Sequence, residues 1–227
     1  MSEQRGGPQR IPRPDANRPG AHAPWHEAPD RVSGPSIAQI RAALVAAGPA
    51  RRAPAEHEGA RAAAVLVPLY EHEGQVWVIL TRRASHLRAH QGEVSFPGGG
   101  RDGDEPLERT ALREAEEEIG LDPALVEVVG ELDHLSTITS GAFIVPFVGI
   151  LDGRPATLVA SPDEVAAILH VPLAELLAED VYREELWGFD DAERPIFFFE
   201  LVGDTVWGAT ASMLRRLLAL VLGVPVD

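Results

Sequence analysis

Apolar positions recur with two different periods along this chain of 227 residues. Ile37, Ile40, Leu44 and Val45 follow Ser36 at helical spacing and stop before Gly48-Pro49, which predicts a short capped helix. From about Arg61 the pattern changes to strands. Ala63–Tyr70 and Val76–Thr81 flank the turn-like stretch Glu71–Gln75 and predict a hairpin. A glycine-rich loop follows, then an acidic helix over Pro106–Glu118. Further strands are predicted at Val126–Glu131, Phe143–Leu151 and Ile196–Val202, a helical turn at Leu173–Leu177, and a closing helix at Ala209–Leu222. Mixed strands and helices over residues 36–227 predict one α/β domain of sandwich type. Residues 1–35 hold 7 of the 19 prolines and one aromatic residue, Trp25, and are expected to form a flexible arm.

Composition narrows the chemistry. All 20 basic residues are Arg, and there is neither Lys nor Cys. Lysine-dependent phosphate loops and Schiff bases are excluded, as are disulfides, thiolate metal sites and thiol nucleophiles. The net charge of −15 argues against nucleic acid or an anionic membrane as partner. The N-terminus lacks an apolar signal core and no run reaches the length of a membrane span, so a cytoplasmic protein is expected.

Val94–Leu121 carries the candidate chemistry. Gly98, Gly100 and Gly103 satisfy the letter of a dinucleotide-binding glycine loop, with Asp122 at a suitable distance. Asp102, Asp104 and Glu105, however, crowd the place where a pyrophosphate would sit, and that reading fails on charge. The helix offers another. Pro106 suits its first position, Asp104 or Glu105 its cap and Gly120 its end. At about 100° per residue from Leu107, the positions of Ala111, Ala115, Ile119 and Leu112 make one apolar stripe. Glu118 falls inside that stripe at about 20°, Glu114 on its border, and Glu117 beside them at about −80°. Glu116 points to solvent, and Glu108 also lands in the stripe but sits in the first turn. A solvated acidic helix paired with Arg109 and Arg113 would not account for two carboxylates one turn apart at the core edge, where unpaired charge is costly. A hard divalent cation would supply the compensation.

The spacing Gly99, Glu105, then Arg113-Glu114-Ala115-Glu116-Glu117-Glu118-Ile119-Gly120-Leu121 resembles a complete Nudix box. The resemblance implies an α/β/α sandwich with a mixed sheet and a loop-helix-loop catalytic motif. It implies Mg²⁺- or Mn²⁺-dependent hydrolysis of a nucleoside diphosphate derivative, with Glu114, Glu117 and Glu118 as metal ligands. It also implies that Arg113 orients a carboxylate and that Glu105 braces the loop. By the same resemblance the candidates for the general base are Glu117 and Glu164, the latter within Ser161-Pro162-Asp163-Glu164-Val165, where a capping role is an equal alternative.

Upstream, Leu80-Thr81-Arg82-Arg83-Ala84 through Gly92 to Phe96-Pro97-Gly98-Gly99 is similar to the signature of the coenzyme A pyrophosphatase branch of that family. Asp163-Glu164-Val165 and Val206-Trp207-Gly208-Ala209-Thr210-Ala211 are similar to it too. This resemblance implies cleavage of coenzyme A or acyl-CoA to 3′,5′-ADP and (acyl-)4′-phosphopantetheine. ADP-ribose, NADH or a nucleoside triphosphate is the alternative substrate, and a non-catalytic nucleotide binder the alternative class. Arg83, Arg88, His90 and Arg101 are the expected substrate-binding residues, because Arg holds phosphate bidentately. Adjacent on a strand, Arg82 and Arg83 would point to opposite faces; Arg83 holds the signature position. Salt bridging to the acidic helix is the competing use of these arginines. The expected partner is a small nucleotide-derived molecule, and a homodimer is compatible with the sequence.

Overall fold

The computed structural model describes residues 4–28, 33–52, 61–87, 90–136, 141–189 and 192–225. In chain order the first elements are β1 (Asn17–Pro19), α1 (Ile37–Ala47), β2 (Arg61–His72), β3 (Gln75–Arg83), β4 (Val94–Ser95) and β5 (Gly98–Gly100). Then come α2 (Leu107–Ile119), β6 (Val126–Glu131), β7 (Leu135–Ser136), β8 (Ala142–Leu151) and β9 (Val165–Pro172). The chain continues with α3 (Leu173–Leu176), β10 (Tyr182–Phe189), β11 (Ala192–Leu201), β12 (Asp204–Trp207) and α4 (Gly208–Val221).

Strict alternation in β2 and β3 builds the layers. Ala64, Leu66 and Tyr70 of β2, with Ile79 of β3, pack against Ala111, Ala115 and Ile119 of α2. The intervening Val67, Leu69, Val76, Val78 and Leu80 face the opposite way, toward Ile40 and Leu44 of α1 and Leu214, Leu217 and Leu218 of α4. One sheet thus lies between α2 on one side and α1 with α4 on the other. Its order is β4-β3-β2-β8-β6, with β5 on β2, β7 on β8 and β9 on β3. The sheet is mixed, because β2 runs parallel to β8 from Arg61↔Ala142 to Tyr70↔Leu151. Ser36 and Gln39 close a capping box on α1, and Gly48 ends that helix.

The second layer departs from the sequence reading, and β9 (Val165–Pro172) was not anticipated. A second, four-stranded sheet, β1-β10-β11-β12, covers the α1/α4 side; the predicted strand Ile196–Val202 falls in its β11, while β1, β10 and β12 were not anticipated. The segment expected to be a flexible arm is part of that layer over its described residues. Asn17–Pro19 pairs with Glu185–Trp187. Arg5 meets Glu175 and Asp180, and Arg13 meets Glu185. Trp25 is 1% exposed, edge-on to Tyr182 and stacked on Phe199. Its low local hydrophobicity was a poor guide because the apolar surface it covers belongs to residues far away in sequence. Among the described residues no helix is long and apolar enough to cross a membrane.

Candidate active site

The amphipathic stripe of α2 forms as its spacing predicts, and it carries Glu118 inward. Thr110, Ala111, Ala115, Glu118 and Ile119 are buried, while Glu108, Glu116 and Glu117 are exposed. Pro106 sits one position earlier than expected, at the N-cap, and no side chain caps the helix there. Gly120 closes it in the left-handed conformation, φ 66°, that a C-terminal glycine adopts without strain.

Two carboxylates of α2 press on the glycines of β5. Gly98 donates its N–H to Glu118 Oε2 at 3.3 Å. A Cβ at Gly99 would stand 2.5 Å from the Glu114 carboxyl, so only glycine lets that carboxylate lie against the strand. Gly98–Gly100 is therefore a strand paired with β2, not a turn cradling a pyrophosphate.

Glu118 is 3% exposed, and burial pushes its carboxyl up to about 7 against the pull of the Gly98 N–H and Arg83. Glu114 and Glu164 reinforce the rise. Glu114 is raised too, by burial first, with Arg113 opposing and Glu117 and Glu164 adding to it. Glu164 is thus an electrostatic neighbour of both. The backbone fixes it there: Ser161 donates to Glu118 O, Glu164 to Ser161 O, and Ala84 to Glu164 O.

Arg113 organises the other flank. Its guanidinium reaches Glu105, Glu114 and Glu117 at 3.0, 3.0 and 2.9 Å and donates to Gly100 O. Glu105 accepts from Arg113, Thr110 Oγ1 and the Asp102 N–H, a bracing set. Chiefly the Arg113 bond, with the Asp102 N–H and Thr110 assisting, holds its carboxyl down at about 2 despite burial. Thr110 was missed from sequence; at about −60° it lies beside the apolar stripe and not in it.

The expected ligand Glu117 does not join Glu114 and Glu118. Its side chain is 60% exposed and lies on Arg113, four residues earlier. Among the described residues no three acidic or imidazole side chains converge into a ready-made metal cage. The donor set that does converge is the pair Glu114–Glu118 with Glu164 nearby. The buried Glu118 oxygens, with one weak backbone donor and a guanidinium at 3.9 Å, together with the half-buried Glu114, held by Arg113 at 3.0 Å, suit a hard divalent cation. That cation would complete its shell with water and substrate phosphate.

The alternation of β3 parts the two arginines. Arg83 lies on the α2 side, its Nη1 3.9 Å from Glu118, with its Nε buried and without a hydrogen-bond partner. Arg82 faces the other way and grips Asp204 through two bonds of 2.8 and 2.7 Å. Arg82 is thus spent on an ion pair, though with β12 and not the acidic helix. His90 is bonded to Glu93 at 2.9 Å, so its donor is already engaged on that side. Arg101 is exposed just past β5, its N–H on Ala62 O. Arg88 lies outside the described residues.

A buried acid with a raised pKa gives a sign that can be checked. In metal-free protein the folded state holds the Glu118 proton to about 7, against 4.5 when unfolded. This contribution to stability is full below about pH 4.5 and is lost as pH rises through about 7; it amounts to at most about 3 kcal/mol. In EDTA, thermal unfolding should therefore shift to lower temperature between pH 5 and 8, and Glu118→Gln should flatten that slope.

The helix whose carboxylates press on the glycine strand belongs to a chain of the Nudix family. The NUDIX domain pattern matches residues 60–189. The protein is a Nudix hydrolase of nucleotide-derived substrates, in a family that generally uses divalent metal ions. Its relatives include the protein "Uncharacterized Nudix hydrolase NudL" of Enterobacter sp. (strain 638), 40% identical over 72% of this chain and 84% of the relative. The protein of the same description from Escherichia coli O9:H4 (strain HS) is 41% identical over the same shares. Among solved structures, a MutT/nudix family protein from Enterococcus faecalis superposes with a TM-score of 0.48 at 18% identity. That match covers 83% of this chain and 75% of the other.

Proposed function

We propose that the protein hydrolyses the diphosphate bond of coenzyme A or acyl-CoA, releasing 3′,5′-ADP and (acyl-)4′-phosphopantetheine. The observation that carries this reading is Arg83. Its guanidinium stands beside the Glu118 carboxylate with one buried N–H unsatisfied, at the position where the chain resembles the coenzyme A branch. Buried donors seek an acceptor, and a substrate phosphate supplies one.

Glu114 and Glu118 would hold Mg²⁺ or Mn²⁺, with Glu117 able to join only by leaving Arg113. When bound, such an ion neutralises the diphosphate and lowers the pKa of nearby water. The residues of the chain do the rest. Arg83 fixes a phosphate oxygen beside the carboxylates. Arg113 keeps Glu114 in place through the braced Glu105. Glu164, anchored by its backbone to Ala84 and Ser161, accepts the proton as the water oxygen attacks one phosphorus. The bridging P–O bond breaks, and the second phosphate departs carrying the electron pair. Arg101 and Arg88 are the remaining cations for the 3′-phosphate.

The test is a competition panel of coenzyme A, ADP-ribose, NADH and nucleoside triphosphates with Mg²⁺ and product identification. The expected result is the highest kcat/KM for coenzyme A or an acyl-CoA, with 3′,5′-ADP as product. Faster turnover of any other member assigns the protein to that substrate.

A further inference from the structure

The N-terminal segment reaches the Arg82–Asp204 pair, on the face of β3 opposite the α2 carboxylates, through the side chain of Gln9. Its side-chain amide donates to Asp204 Oδ1 at 2.7 Å and to Gly92 O at 3.2 Å, and its Oε1 accepts the Thr205 N–H at 2.8 Å. Both N–H groups are used, and the acceptor is used too. Asp204 is 3% exposed and is the same carboxylate that grips Arg82, the neighbour of Arg83. Gly92 belongs to the connection between β3 and β4, which contains His90 and returns to the sheet where the Arg83 N–H meets Glu93 O. The segment is seated closely around this contact. Gly7 donates to Thr205 Oγ1, Gly6 to Leu201 O, and a Cβ on Gly7 would stand 2.5 Å from Asp204 Cα.

We infer that Gln9 is a positioning residue for substrate: it ties the Gly92 end of the β3–β4 connection to the Arg82–Asp204 pair and so fixes the approach to Arg83. This rests on the proposed role of Arg83 and its loop in holding the substrate phosphates. The amide is required because it bridges two acceptors. A carboxylate of the same shape would set an oxygen against Asp204 and the Gly92 carbonyl.

Gln9→Glu and Gln9→Ala separate these demands in the full-length protein. Arg18→Ala is the control, because Arg18 joins the same segment to Glu193 through an exposed ion pair. Amide hydrogen exchange at Glu93, whose N–H shares a peptide unit with the Gly92 carbonyl and bonds His90 O, should quicken in both Gln9 variants and not in Arg18→Ala. For the substrate the wild type turns over best, KM should rise about fivefold, the scale of one or two lost hydrogen bonds. The kcat should stay within about twofold, with Gln9→Glu the worse of the two. Unchanged exchange at Glu93 overturns the inference whatever the substrate is. Faster exchange with unchanged KM overturns the positioning role, as does an equal KM rise in Arg18→Ala. Failure of the coenzyme A reading shows separately, as wild-type preference for another member of the panel.

Discussion

Glu118→Gln should reduce hydrolysis by about a thousandfold or more while leaving the metal-free protein as stable as the wild type, or more so, at pH 8. The loss follows from removing the buried anion that would hold the cation, whose charge stabilisation is worth several kcal/mol in the transition state. The stability result follows from the same burial. A carboxylate that burial pushes up to about 7 costs folding energy when ionised, and an amide of equal shape does not carry that charge. Steady-state kinetics with Mg²⁺ and thermal unfolding in EDTA give the two readouts. A variant that keeps its activity would remove Glu118 from the site. One that loses activity only because it unfolds would make Glu118 a structural acid.

Trp25→Ala should cost about 3–5 kcal/mol, the range for emptying a buried aromatic site, and lower the melting temperature by roughly 10 °C. Trp25 fills a pocket between Tyr182 and Phe199. Its Nε1 is buried without a partner, so Trp25→Phe should lose far less. Thermal or urea unfolding monitored by circular dichroism decides between a packed segment and a loose arm. An unchanged midpoint in Trp25→Ala would restore the loose arm.

The contrast between these residues marks what could be read from the sequence. Glu114 and Glu118 were legible because a helix has a fixed period, and the apolar stripe of α2 locates any residue on it. The opposite faces of Arg82 and Arg83 were legible for the same reason in β3. Glu117 was not. The helical angle placed it beside the pair, but its direction is decided by Arg113 one turn earlier, and helical position alone cannot rank those competing partners. Trp25 and Gln9 were hidden because their neighbours lie more than 80 residues away. A proline-rich stretch looks unable to fold when only its own apolar surface is counted. The second sheet was hidden for a related reason. In β10, Arg183, Glu184 and Glu185 interrupt the alternation, and Arg183 is paired within the sheet to Glu185 and Glu200.

The net charge also takes a different meaning once charges have positions. Carboxylates at Glu105, Glu114 and Glu117 share the single guanidinium of Arg113, and Glu118 has only a distant contact with Arg83. Among the described residues the site is therefore short of positive charge, and under the proposed function an anionic substrate would enter it together with a cation.

The most direct test of that claim is Mn²⁺ binding followed by electron paramagnetic resonance at pH 8, without substrate. The wild type should bind Mn²⁺, and Glu118→Gln and Glu114→Gln should each weaken binding by at least about tenfold, while Glu116→Gln, on the solvent face of α2, should bind as the wild type does. Equal Mn²⁺ affinity in the wild type and Glu118→Gln would contradict the account.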